Sequence, residues 1–278
     1  MLQARTWLPR AHATVRVSFK AQGGSTALDT LHQAGAGRAR FPNPHEGGAS
    51  AQAQAILLNM AGGLTGGDRF DIDIGLRPGS RATVTTAAAE KIYRSLHGDP
   101  AHMQVDAQLD DDSALLWIPQ PTILFDRASL ERRTNITLAP SATLLAAEIL
   151  IFGRAAMGED VLAGDVADHW RVRRGGRLIY ADTFRLTGAV AKQLDRRAVT
   201  AGGRATATVL YVAADAAEKI EAVRGVIADT EEATVGASSW GEILLLRAAA
   251  KDGRTLQGDL KPVLEFLSGY ALPRIWQC

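Results

Sequence analysis

Apolar and polar residues alternate along much of the chain with a period of two. In Thr14–Lys20, Val15, Val17 and Phe19 share one side, and Thr14, Arg16, Ser18 and Lys20 share the other. Arg69–Leu76 sets Phe70, Ile72, Ile74 and Leu76 against Arg69, Asp71 and Asp73, and His102–Leu109 repeats the arrangement. A strand with one buried face produces this pattern, because successive side chains point to opposite faces. Strand composition also marks 55–59, 80–86, 113–118, 122–125, 129–138, 143–152, 168–174, 177–185, 204–212 and 240–247. Gly, Pro and Asp punctuation such as Arg77-Pro78-Gly79-Ser80 separates most of them, and Gln22–Ser25 and Asn43–Ala49 read as loops.

The helical period appears only late. Asp215 with Glu218 three residues on resembles a capping arrangement, and Ile220, Val223 and Ile227 follow on one face. A second helix is predicted from near Asp259, with Leu260, Val263, Leu264 and Leu267 in one stripe and Pro262 in a tolerant first turn. Many strands and two late helices predict an all-β architecture. With no fixed-period repeat and no composition break, 1–278 reads as a single domain.

Composition narrows the class. Hydrophobic residues make up 46% of the chain, and the formal net charge is +1, so neither nucleic acid nor an anionic membrane is a favoured partner. The single cysteine, Cys278, excludes disulfide frameworks and zinc–thiolate sites and suits a reducing compartment. MLQARTWLPR has no apolar signal region, and the apolar run 142–152, interrupted by Thr143 and Glu148, is too short to span a bilayer. The expectation is a soluble cytoplasmic protein.

The stretch GGLTGGDRF (62–70) resembles a phosphate cradle but fails its tests. A P-loop needs Lys and Ser/Thr after the last glycine, where this chain has Asp68 and Arg69. An alternating strand follows, and a dinucleotide fingerprint would need a helix there. A turn between strands is the better reading. His97 and His102 fit no metal spacing, no G-x-S-x-G is present, and acid runs such as Asp110–Asp112 and Glu231–Glu232 read as solvated turns. Lone acids inside apolar strands ask for more, because burying one unpaired is costly. Glu148 in LLAAEILIF and Asp126 in TILFDR are the two, and Arg127, Arg132 or Arg154 offers each an ion-pair explanation of equal weight. On residues alone a binding or scaffold protein is favoured. The alternatives are an all-β hydrolase or lyase using Glu148 or Asp126 as acid/base, and a structural subunit whose acids are all paired.

Five blocks carry a resemblance. NMAGGLTGGDRF (59–70), TTAAAEKIYRS (85–95), WIPQPTILFDRASLERR (117–133), EILIFGRAAMGE (148–159) and LPRIW (272–276) occur in the order found in the urease accessory protein family UreD, called UreH in some organisms. The resemblance runs from about residue 10 to the end. It implies an elongated helical stack of β-sheets with two α-helices near the C-terminus, and no enzymatic activity. It further implies a cytoplasmic role in loading nickel into apo-urease. The implied partners are a helical UreF-like protein, a UreG-like GTPase and the urease apoprotein, with no tightly bound cofactor and nickel only in transit. A transit route needs sparse, weak oxygen ligands that let the ion leave. Asp68, Glu90, Asp126, Glu148 and Glu159, at motif positions, are the candidates for it. Two departures from the family pattern stand out: Pro121 replaces its usual Glu, and Asn59-Met60-Ala61 stands where many members show prolines. The segment from about 256 to 278 is the expected docking surface for the helical partner, with Leu264, Leu267, Arg274, Ile275 and Trp276 as contacts. Packing of that stripe on the domain's own sheets is the alternative.

Overall fold

A computed structural model of the chain describes residues 9–42, 52–154, 157–228, 230 and 232–277. The chain winds. Strands β1 (His12–Gln22), β2 (Ser25–Gly35), β3 (Gly37–Arg40) and β4 (Ala53–Asn59) start it. Each following turn lays one strand in a first sheet and one or two in a second. β5 (Arg69–Leu76) leads to β6 (Arg81–Thr86) and β7 (Glu90–Ile92); β8 (Ala101–Leu109) leads to β9 (Ala114–Trp117) and β10 (Thr122–Leu124). β11 (Ser129–Leu138) leads to β12 (Thr143–Phe152), and β13 (Gly164–Arg174) follows in the first sheet. Strands of successive turns pair in parallel, β5–β8–β11–β13 in one sheet and β4–β6–β9–β12 in the other. The result is the helical stack expected from the resemblance.

A short third side is built at the corner. β7 and β10 pair in parallel, and the end of β12 joins them through Leu150–Phe152, while its beginning, Thr143–Ala146, pairs with β9. The second turn breaks between β9 and β10 at Ile118-Pro119-Gln120-Pro121, where two prolines cannot donate to a ladder. The third turn has no such break, so β12 runs through. Antiparallel strands close both ends: β2 pairs β1, β3 pairs β4, and β14 (Arg177–Gly188) pairs β13 and runs into α1 (Val190–Leu194), a short helix beyond the two expected. β15 (Ala205–Val212), β17 (Ile243–Ala250) and β16 (Thr234–Trp240) extend the second sheet beyond β12.

Two cores result. The inward positions of both sheets, among them Phe70, Ile72, Val105, Leu144 and Phe152, form the first. On the other face of the second sheet, Leu145, Ala147 and Ile149 of β12 meet α2 (Ala216–Ala228) and α3 (Gly253–Ser268) in the second core. This double burial is why 143–152 reads as a continuous apolar run rather than an alternating one.

Several expectations are corrected. α3 begins at Gly253, capped by the Asp252 carboxylate accepting from Thr255 N at 2.9 Å, so Pro262 stands in mid-helix and not in a first turn. Asp215 precedes α2, but its carboxylate takes the Tyr211 hydroxyl at 2.7 Å and Lys219 at 3.1 Å. The segment 240–247 is split by Gly241, whose φ of 53° makes the turn between β16 and β17. The turn at Gly23-Gly24 falls in the expected loop 22–25, whereas Asn43–Ala49 lies outside the described residues.

Candidate functional site

The most unusual chemistry lies between the sheets. Residue parity along β11, β12 and β13 puts Arg132, Glu148 and Asp168 on inward positions, and all three are buried. Arg132 forks onto Asp168, Nε to Oδ1 at 3.0 Å and Nη2 to Oδ2 at 2.7 Å, and its Nη1 pairs with Glu148. The Trp117 indole donates to Glu148 at 3.0 Å, and Arg132 also reaches the Thr122 hydroxyl at 3.2 Å. One guanidinium thus serves two carboxylates in a medium that penalises charge. Burial pushes the Glu148 carboxyl up from its ordinary value, Arg132 pulls it back in part, and Asp168 pushes it further up. Burial also opposes the charge of Arg132, but the two carboxylates outweigh it and hold it protonated.

This centre borders open space. A cavity of about 400 Å³ between the sheets is lined by Arg132, Glu148 and Asp168, by Thr206, Thr208 and Thr234, and by apolar side chains such as Leu150 and Phe184. Val199, Thr234 and Arg247, which also line it, are exposed, so the cavity runs from the surface to the buried carboxylates.

The other four candidate acids sit at the corners of the stack and are held separately. Asp68 is buried and accepts backbone N–H groups of Ala11 and Thr65, each at 2.8 Å, which staples the N-terminal segment to the glycine turn. The turn needs its glycines for close approach: a Cβ on Gly66 would lie 2.3 Å from the Ser95 hydroxyl and 2.4 Å from the Asp99 carbonyl oxygen. Glu90 accepts from the Asn59 amide at 3.1 Å, and burial pushes its carboxyl up to about 7. Asp126 accepts from Ala163 N at 3.0 Å, with Arg127 at 3.7 Å. Glu159 pairs with Arg154 at 2.5 Å, and the Arg154 guanidinium lies 4.5 Å over the Phe125 ring. Among the described residues no three His, Cys, Asp or Glu side chains converge to hold a metal ion. Glu148 and Asp126, the pair considered for acid/base work, share no partner.

The C-terminal stripe turns inward. Leu264, Leu267 and Trp276 are buried on the outer face of the second sheet, and the Trp276 indole donates to the Ile118 carbonyl at 3.0 Å. The expectation that these three present a surface to a partner is corrected, because the chain's own sheet covers them. Arg274 is exposed and Ile275 half-buried. No helix among the described residues is long and apolar enough to cross a membrane.

The family described as UreD urease accessory protein matches residues 11–277. Among curated relatives, the urease accessory protein UreD of Rhodopseudomonas palustris (strain BisB5) is 46% identical over 267 residues, 96% of this chain and 92% of that protein. Urease accessory protein UreD 1 of Bradyrhizobium sp. (strain ORS 278) is 41% identical, covering 96% of this chain and 94% of its own length. The chain belongs to the UreD family.

Its role is therefore in urease maturation, and the relatives are named as accessory proteins rather than enzymes. Within this UreD chain, Pro121 lies next to Glu90: the register sets Thr122 opposite Glu90, and the Pro121 carbonyl accepts from Glu90 N at 2.9 Å. A Glu at 121 would bring a second carboxylate to that corner, and this chain lacks it. Of the three arginines offered as partners, Arg132 pairs with Glu148, Arg127 lies by Asp126, and Arg154 pairs with Glu159. Asp168 is the residue that sequence reading missed. Its signal is parity: Val166, Asp168, Trp170 and Val172 share one face of β13, and three of the four are apolar.

Proposed function

We propose that the chain is a non-enzymatic cytoplasmic scaffold that binds UreF-like and UreG-like accessory proteins and the urease apoprotein and passes nickel toward the urease active site. In this reading nickel is cargo, and no cofactor is tightly bound. The observation that carries the reading, beyond the family, is the cavity that ends on Glu148 and Asp168. Carboxylate oxygens and threonine hydroxyls are hard, weak donors for nickel(II) compared with imidazole or thiolate. A route so lined admits a hydrated cation without trapping it. The centre carries two carboxylates to one guanidinium, so its field favours a cation's entry.

Asp68, Asp126 and Glu159 support this role differently, by fixing the corners of the stack. Of the corner acids we assign Glu90 to the route: the Asn59 amide and a backbone hydrogen bond from Lys91 hold it, and no arginine pairs with it among the described residues. Of the five contacts expected in the C-terminal segment, Arg274 and Ile275 are the two that are not buried. Co-expression with UreF-like and UreG-like proteins, followed by sizing, tests the scaffold: a stable complex containing the chain is expected. In a strain lacking the chain, urease is expected to be made but poor in nickel by elemental analysis. Fully loaded urease in that strain at ordinary nickel levels would overturn the reading.

A further inference from the structure

A second cavity, of about 570 Å³, lies between the outer face of the third side and the first half of α3. Its floor is apolar: Ile123 of β10 and Ile151 of β12 are register neighbours facing outward, and Trp276 closes one end. α3 rests directly on this floor, since a Cβ on Gly253 would lie 2.1 Å from Ile151 Cδ1. Further along the helix Gly258 is exposed and has no neighbour within 4 Å of where a Cβ would stand, so the groove stays open there. The Gln120 and Gln257 amides hydrogen-bond across it at 3.4 Å.

The rim is cationic. Arg254 and Lys261, seven residues apart on α3, fall on one helix face on either side of Gly258. Neither forms an ion pair among the described residues, and Arg154 on the facing wall is already paired with Glu159. The one acid lining the groove, Asp252, is spent on the helix cap. The positive end of the α3 dipole points the same way. An uncompensated cationic rim around an aliphatic floor fits one kind of occupant.

We propose that this groove is a docking slot for an extended acidic segment of a partner protein. Carboxylates of that segment meet Arg254 and Lys261, and an aliphatic side chain sits on Ile123 and Ile151. The slot deepens the docking role proposed above and rests on it only for the partner's identity. The test uses the full chain and a fluorescein-labelled peptide alternating Glu and Leu, followed by anisotropy. Arg254→Glu/Lys261→Glu is expected to weaken binding on the order of tenfold or more, because two attractive rim charges become repulsive. Added salt weakens the wild-type interaction, and charge reversal at the exposed Lys192 leaves it unchanged. A wild-type chain that ignores the peptide, a double variant that binds as well, or complete competition by inorganic phosphate alone would overturn the proposal. The probe involves neither nickel nor urease, so its failure is separable from failure of the maturation reading.

Discussion

Glu148 and Asp68 are 4% and 6% exposed, yet the fold holds them in opposite ways. Asp68 is satisfied by two backbone N–H donors from the loops on either side of it, so both its oxygens are committed to chain geometry. Glu148 shares one guanidinium with a second carboxylate and faces a cavity. The difference teaches that a buried acid at a family motif is not by itself a ligand. Its donors tell which job it has: backbone donors mark a staple, and a shared cation beside open space marks a site with charge left over.

The largest effect expected from breaking this contrast is at Arg132. Arg132→Met leaves Glu148 and Asp168 buried without a cation and should cost about 3–5 kcal/mol in chemical denaturation. Adding Glu148→Gln to that variant should restore part of the loss, since one of the two stranded charges is gone. A loss under about 1 kcal/mol would mean that the centre is solvated, in the range of surface pairs.

At the staple, Asp68→Ala leaves the Ala11 and Thr65 N–H groups without their acceptor and should cost on the order of 2–3 kcal/mol. The loss should appear equally with and without nickel in the same denaturation experiment. Stabilisation by nickel that depends on Asp68 would erase the distinction drawn here.

Glu90 sharpens the comparison through pH. Its carboxyl is raised from 4.5 to about 7 by burial, so between those values the folded state keeps a proton that the unfolded state has released. Stability from this group is therefore full below about pH 4.5 and is lost as pH rises toward 7. Glu90→Gln should remove that slope, amounting to about 3 kcal/mol across the window, as read from unfolding midpoints at several pH values. An unchanged slope would place Glu90 in solvent.

The smallest effect belongs to Glu159. Its pairing with Arg154 is partly exposed, and Glu159→Ala should change stability by less than about 1 kcal/mol. A larger loss in thermal unfolding would make this corner a staple like Asp68.

Most strands were legible because one face is buried and the other wet, as in Phe70–Leu76 against Arg69–Asp73. β2 was not: STALDTLHQAG is an edge strand with no buried position, so nothing forces an alternation. β7 is only Glu-Lys-Ile, and its existence depends on β10 arriving beside it. The first turns of α3 were hidden by Gly253, Thr255 and Gly258, poor helix formers, although Leu256 extends the Leu260 stripe by one turn. Glu148 stood out as an acid in an apolar run. Asp168, in ADHWRVRR, did not, because its polar neighbours on the other face masked the inward one. The winding itself follows from which distant strands pair, and local pattern does not carry that.

The central claim is that the charge between the sheets serves the cargo and not only the fold. Glu148→Gln tests it most directly, because the Arg132–Asp168 fork survives and remains charge-balanced. The account predicts a folded protein that loses about 1–3 kcal/mol, because the amide strands no charge but keeps one acceptor oxygen for the two donors, Trp117 and Arg132. Assembly with its partners should be normal, while urease activated in its presence holds less nickel by elemental analysis. Wild-type nickel content in urease matured with the Glu148→Gln chain would contradict the account and leave the buried centre a structural ion pair.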